Sequence, residues 1–207
     1  MLRKLMGRRC KNLLIIALFG LSAALFGNSF YIVAKAKLAQ VLISHAWNQS
    51  QDEAQKTGAS TAKKPWDWAD TYPVARLKAP EQSIDMVVLQ GASGEALAFG
   101  PGFVAESSQI GKGGDSVIAG HRDTHFAFLE NVALGEELFV ETLSGESIQY
   151  EVESLEIIDS DVAKLDIEPS QHRIRLVTCY PFKAITSGSL RYVVTAVAVE
   201  KTEKPDV

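Results

Sequence analysis

An uncharged stretch of 23 residues, Asn12 to Ala34, constrains this chain more than any other feature. It carries Leu13, Leu14, Ile15, Ile16, Leu18, Phe19, Leu21, Leu25, Phe26, Ile32 and Val33, and about 20 apolar residues suffice to cross a bilayer as a helix. Arg3, Lys4, Arg8, Arg9 and Lys11 precede it, whereas only Lys35 and Lys37 follow closely. The positive-inside bias then keeps the N-terminus in the cytoplasm and carries the rest of the chain across the membrane in a single pass. A cleaved signal peptide ending near Ala34-Lys35-Ala36 is the competing reading. The stretch is longer than the signal core of about 7–15 residues, which favours an uncleaved anchor.

The anchor divides the two cysteines of the chain. Cys10 lies in the basic tail before it and Cys179 far beyond it, in Arg175-Leu-Val-Thr-Cys-Tyr-Pro-Phe182. Cys179 therefore has no partner for a disulfide within its own compartment. A single thiol in an exported domain points either to a reactive group or to a small buried hydrophobe. The net charge of −4 provides no basic stripe for nucleic acid, and the basic residues that cluster do so at the membrane surface.

With 207 residues, one compact domain is expected after the anchor. We divide the chain into a cytoplasmic basic tail at 1–11, a transmembrane signal-anchor at 12–34, a juxtamembrane helix and linker at 35–65, and a folded domain at 66–207. Leu38, Val41, Leu42 and Trp47 fall near helical spacing, so the helix is expected to run on past the membrane. The polar stretch from Gln51 to Lys64 reads as linker. Short β-rich runs follow, separated by glycine-containing turns: Ile84 to Leu89, Ala96 to Phe99, Ser116 to Ala119, Glu137 to Thr142, Ser147 to Ile158, Ile174 to Thr178 and Arg191 to Val199. Leu143-Ser-Gly-Glu146 joins two of them as a hairpin. The pattern predicts a mainly β fold, a closed barrel of about seven or eight strands with short helices, with a sandwich as second choice. Trp66 and Trp68 are expected to pack over one barrel end.

A thiol nucleophile needs a neighbour that favours thiolate and a donor that stabilises the oxyanion it creates. His45 belongs to the membrane-proximal helix. His121 follows the apolar strand Ser116-Val-Ile-Ala119 and Gly120, where strand gives way to the loop Arg122-Asp-Thr-His-Phe126. Cys179 likewise ends a strand, with Pro181 barring simple continuation. Arg191 opens the next strand, and if those two strands pair antiparallel it stands beside Cys179. A guanidinium offers several donors and does not titrate at working pH. His125 is the rival acid on the same loop, and His172 is expected across the strand, away from Cys179. Asp123 and Arg122 either order the loop or are surface charges. No acidic cluster argues for a metal: Glu136, Glu137 and Glu141 read as a solvated strand face. No cofactor is implied.

The motifs Gly120-His-Arg-Asp-Thr-His-Phe126, Leu176-Val-Thr-Cys179 and Leu190-Arg191 resemble the His, Cys and Arg motifs of sortases. Leu97-Ala-Phe-Gly-Pro-Gly102 and Trp66-Asp-Trp-Ala-Asp-Thr-Tyr-Pro-Val-Ala-Arg76 are similar to the Gram-negative group, class GN. The usual signature is Thr-Leu-x-Thr-Cys, and here Arg175 takes its first position. The resemblance implies a β-barrel thiol transpeptidase, anchored in the inner membrane with its catalytic domain on the periplasmic side. Its partner would be an exported protein ending in a Leu-Pro-x-Thr-Gly-like sorting signal. By that resemblance Cys179 attacks the Thr–Gly carbonyl and holds the product as a thioester until an amine takes it. His121 protonates the leaving amine, Arg191 positions the substrate and stabilises the oxyanion, and Thr178 is an auxiliary contact. The alternatives are another thiol peptidase of the cell envelope, or a membrane-tethered β-domain in which Cys179 is structural.

Overall fold

A computed structural model describes residues 8–58, 61–163, 167–186 and 188–199. The first seven residues of the basic tail and the side chain of Cys10 lie outside that description.

Helix α1 runs from Arg8 to Thr57. It contains a segment long and apolar enough to cross a membrane, by length and composition. Within that segment Leu14, Phe19, Leu25 and Phe26 are all exposed. The helix does not stop where the sequence turns polar but continues through 51–57. Amphipathic packing explains this. From Leu42 onward the chain belongs to the compact C-terminal unit, and Ile43, Ala46, Trp47 and Ala54 are buried there at helical spacing. The Ser50 hydroxyl accepts the Lys63 N–H at 2.7 Å, and the Gln51 amide donates to Glu141. Burying a tryptophan and three aliphatic side chains outweighs the weak helical propensity of a polar surface.

Eight strands form a closed barrel: β1 (Pro73–Ala79), β2 (Ile84–Gln90), β3 (Gly102–Phe103), β4 (Gly114–Ala119), β5 (Glu137–Thr142), β6 (Ser147–Asp159), β7 (His172–Cys179) and β8 (Leu190–Ala198). Their order around the barrel is β1-β2-β3-β4-β7-β8-β6-β5, closed by β1 on β5. Alternate residues fill the interior, as period 2 requires. Leu77, Val88, Ile118, Leu138, Val140, Tyr150, Ile174, Leu176 and Val194 belong to one core cluster.

Two sequence expectations are corrected. Ala96 to Phe99 is not a strand but part of a short helix, α2 (Gly94–Phe99), whose cap is Ser93 accepting the Ala96 N–H. A four-residue apolar run has no period of its own, and the Ser93 cap decides it here. Trp68 does not pack on the barrel: it is 81% exposed, whereas Trp66 meets Phe99 edge to face with centroids 5.1 Å apart. Strands β1 and β3 are additions. The first alternates buried residues, Pro73, Ala75, Leu77 and Ala79, with half-buried ones.

One ionic cluster fixes the register of β4 against β7. The two strands pair in parallel, Asp115 beside Arg173 and Val117 beside Arg175. Asp115, with no exposed side-chain surface, accepts Arg173 Nε at 2.6 Å and Nη2 at 2.9 Å, Arg175 Nη2 at 2.7 Å, and the Glu168 N–H at 3.2 Å. Arg175, the departure from the usual signature, thus has a partner on the neighbouring strand. Desolvation works to raise the Asp115 pKa. The Arg173 hydrogen bond, the Glu168 N–H and the charge of Arg175 overcome it and hold the carboxyl below its ordinary value.

Removing that carboxylate leaves two arginines facing each other with little water. Asp115→Asn is expected to cost about 3–5 kcal/mol in urea denaturation at neutral pH. Because the folded-state pKa is depressed, the contribution is complete above the unfolded value of about 3.9 and is lost as pH falls through the folded one. The wild-type advantage over Asp115→Asn should therefore shrink only in strongly acidic buffer.

Candidate active site

The burial of β7 alternates: Ile174, Leu176 and Thr178 are buried, while Arg173, Arg175, Val177 and Cys179 on the opposite face are part-exposed. Cys179 is the last residue of the strand, a free thiol with some of its surface open. Strand β8 runs antiparallel to it, and the register sets Cys179 directly opposite Arg191. Cross-strand partners share a face, so the guanidinium stem rises beside the thiol.

On the other side of β7, parallel β4 ends with Ala119 opposite Val177. Two residues on along each chain are His121 and Cys179. Gly120 is stitched to β7 twice: its N–H donates to Val177 O at 3.1 Å, and its carbonyl accepts the Thr178 hydroxyl at 2.7 Å. Thr178, 3% exposed, therefore fills the strand end and holds the approach to His121. The Phe126 ring packs over Gly120 so closely that an added Cβ would meet it at 2.7 Å. No other residue leaves room for that ring. Phe126, wholly buried, donates its N–H to His121 O at 2.9 Å, which turns the loop back and leaves His121 exposed at the barrel end.

His125 is half-buried, and Nδ1 has no hydrogen-bond partner among the described residues. Burial first, and then the charge of His121, push its pKa below the ordinary value, opposed by Asp123. Asp123 itself is exposed. His172 opens β7 at the end away from Cys179, its ring 5.8 Å edge to face from Tyr150. Burial, helped by Glu146, pushes the Tyr150 phenol up to about 12.

Around the thiol the sequence left an aromatic group unread. Tyr192 pairs with Thr178 across the strands, stacks on Tyr180 at 6.1 Å and meets Phe182 at 5.2 Å. The run Tyr180-Pro-Phe182 was the available signal. The acidic residues are also better defined than the sequence suggested. Glu136 is not solvated: it is 4% exposed and accepts the Gln82 amide at 3.2 Å and the Ala133 N–H at 3.1 Å. Glu137 takes Gln149, and Glu141 takes Gln51 and Lys78. No group of three or more His, Cys, Asp or Glu side chains poised to hold a metal occurs among the described residues.

The assembly brings a part-exposed thiol, a guanidinium and an imidazole-bearing loop to one end of the barrel. Comparison with known proteins agrees in kind. A family profile described as Sortase domain matches residues 77–199, and the chain belongs to the sortase family. Sortase D of Bacillus subtilis (strain 168) is 27% identical over 119 residues, 57% of this chain and 60% of that protein. The match thus spans less than two thirds of that relative. Among solved structures, the Clostridium perfringens Sortase D5 transpeptidase superimposes with a TM-score of 0.59 at 24% identity, covering 79% of this chain and 97% of that one. Clostridium perfringens sortase C with the C-terminal cell wall sorting motif gives 0.57 at 17% identity, covering 77% and 88%. These likenesses show the barrel fold.

The depressed pKa of His125 has a consequence for stability. Its neutral form is the one the fold accommodates, so its contribution is complete above the unfolded value of about 6.5 and is lost as pH falls through the lower folded value. Thermal melts of wild type and His125→Gln at neutral and mildly acidic pH should show a smaller acid-induced drop in Tm for the variant. Equal drops would contradict the assignment.

Proposed function

We propose that this sortase is a membrane-anchored cysteine transpeptidase that cleaves a C-terminal sorting signal of the Leu-Pro-x-Thr-Gly kind and passes the product to an amine. The observation that carries the reading is the pairing of Cys179 with Arg191, with His121 entering from the stitched end of β4. Sγ of Cys179 forms a bond to the Thr carbonyl carbon. Collapse of the tetrahedral intermediate breaks the Thr–Gly C–N bond, and His121 gives its proton to the departing amine. The second half reverses this: an amine attacks the thioester, His121 takes its proton, and the Cys179 thiolate leaves. Arg191 donates to the oxyanion, and Thr178 acts one step removed, through the Gly120 carbonyl. The structure of sortase C with a cell wall sorting motif supports the substrate class by analogy within the family.

The class GN assignment rests on Leu97-Ala-Phe-Gly-Pro-Gly102 and on the Trp66-led segment. With it go an inner-membrane location, a cytoplasmic N-terminus and a periplasmic catalytic domain, supported by the apolar helix and the basic residues before it. The tail, anchor, juxtamembrane segment and catalytic domain keep the limits 1–11, 12–34, 35–65 and 66–207. A purely structural Cys179 would be sealed in the core, and the partial exposure of this one favours the enzyme.

Full chain in detergent micelles, incubated with Leu-Pro-x-Thr-Gly peptides varied at x, should form an adduct on Cys179 whose mass is that of the peptide less its Gly-containing tail. Cys179→Ala should abolish both adduct and cleavage without a change in Tm. His121→Ala should slow cleavage by roughly 10²–10⁴-fold. Cleavage that survives Cys179→Ala would overturn the proposal.

A further inference from the structure

The loop that joins β7 to β8 is tied down at its ends: Phe182 meets Tyr180 and Tyr192, the Ser189 carbonyl accepts the Ser160 N–H at 3.0 Å and hydroxyl at 2.7 Å, and the Tyr180 N–H donates to Leu190 O at 3.0 Å. From Pro181 to Leu190 none of the described side chains is buried, and Ile185 is fully exposed. The middle of the loop therefore depends on hydrogen bonds more than on side-chain packing. Arg191 takes its geometry from this segment: Nη1 donates to Gly188 O at 2.7 Å and to Leu190 O at 2.9 Å. The guanidinium of Arg191, whose Cα is the cross-strand partner of Cys179, is thus held through the backbone that carries those carbonyls.

The same backbone is gripped from the other side. Arg122, the residue after His121, donates from Nη2 to Ala184 O at 2.6 Å and to Thr186 O at 3.2 Å. Four carbonyls at alternate positions, 184, 186, 188 and 190, are therefore divided between two guanidinium groups, one from the His121 loop and one from β8. A second link, Lys183 to Glu130 at 3.3 Å, is 87% exposed on the lysine side and contributes little.

We propose that Arg122 is a positioning residue: by holding the Ala184 and Thr186 carbonyls it fixes the β7–β8 loop, and through the Gly188 and Leu190 carbonyls it sets Arg191 beside Cys179. It touches no reacting atom. Its effect is to make the placement of Arg191 depend on the loop that carries His121, so the two groups flanking the thiol are kept in register with each other. The inference rests on the reading of Cys179, His121 and Arg191 given above. A lysine cannot replace it fully, since an ammonium lacks the planar fork that spans two carbonyls.

The test measures alkylation of Cys179 by iodoacetamide, resolved by peptide mass spectrometry so that Cys10 is counted separately. Full chain in detergent is used, near neutral pH and well below every variant's Tm. Alkylation reads the surroundings of the thiol, which a neighbouring guanidinium alters. Arg191→Met should slow alkylation at least about threefold, Arg122→Met should slow it by a similar factor, and Arg122→Lys should fall between. The double variant should be no slower than Arg191→Met alone, because Arg122 acts only through Arg191. Lys183→Met should match wild type. If Arg191→Met slows the reaction while Arg122→Met does not, or if the two effects multiply, the positioning role is overturned and the catalytic reading stands. If neither Arg191→Met nor His121→Ala alters the rate, the catalytic reading fails and takes the inference with it.

Discussion

The buried carboxylate of Asp115 between Arg173 and Arg175 is the interaction on which the arrangement at the other end of β7 depends. Strand β7 has a parallel neighbour on one side and an antiparallel one on the other, and its side chains alternate between the barrel interior and the face that bears Cys179. A slip of one residue against β4 would turn Ile174, Leu176 and Thr178 outward and carry Cys179 into the interior. The apolar pattern of β7 already resists that slip, since it would trade Ile174 and Leu176 for Arg173 and Arg175 in the interior. A desolvated carboxylate that needs two named guanidinium groups and one backbone N–H does not tolerate it. The cluster sits at the start of β4 and the candidate site at its end, so specificity of register at one end is delivered to the other by the stiffness of the strands.

From that register the rest follows in a short chain of contacts. Gly120 accepts the Thr178 hydroxyl and gives its N–H to Val177, which seals the strand ends together. The Phe126 ring over Gly120 then returns the loop, leaving His121 outside and His125 half inside. On the opposite side the β7–β8 hairpin puts Arg191 across from Cys179, and the loop between them is held by Phe182 at its start and by its carbonyls beyond. The difference in how the two flanks are held is physical. One is a buried hydrogen-bonded seam and the other an exposed loop tied by charge-assisted bonds.

The legibility of the chain followed the length and regularity of each signal. The runs at 137–142, 147–158 and 174–178 read correctly as strands because each is long enough to show period 2, and 84–89 because it is rich in β-branched and aliphatic residues. The run Ala96-Leu-Ala-Phe99 is too short for that, and its helix follows from the Ser93 cap. Strand β1 escaped notice because its inward residues include three of low volume or unusual type for a strand, Pro73, Ala75 and Ala79. Trp68 shows a different limit: aromatic character states how much a side chain would gain from burial, not whether a neighbour is there to cover it. Glu136 shows the converse, a carboxylate buried because Gln82 and a backbone N–H happen to converge on it.

What the sequence determined by itself was local and compositional: a segment apolar enough to cross a bilayer, a single thiol beyond it, and His, Cys and Arg motifs each placed at a strand end. Those follow from spacing along the chain, which is visible without a structure. Only the tertiary structure decided that β7 lies between β4 and β8, that Asp115 reaches across 58 positions to Arg173, and that Arg122 reaches 62 and 64 positions to the carbonyls of Ala184 and Thr186. The physical reason is that such contacts arise from barrel closure. Closure sets which chain-distant strands become neighbours, and the pattern of any one strand says which face is buried but not what lies beside it.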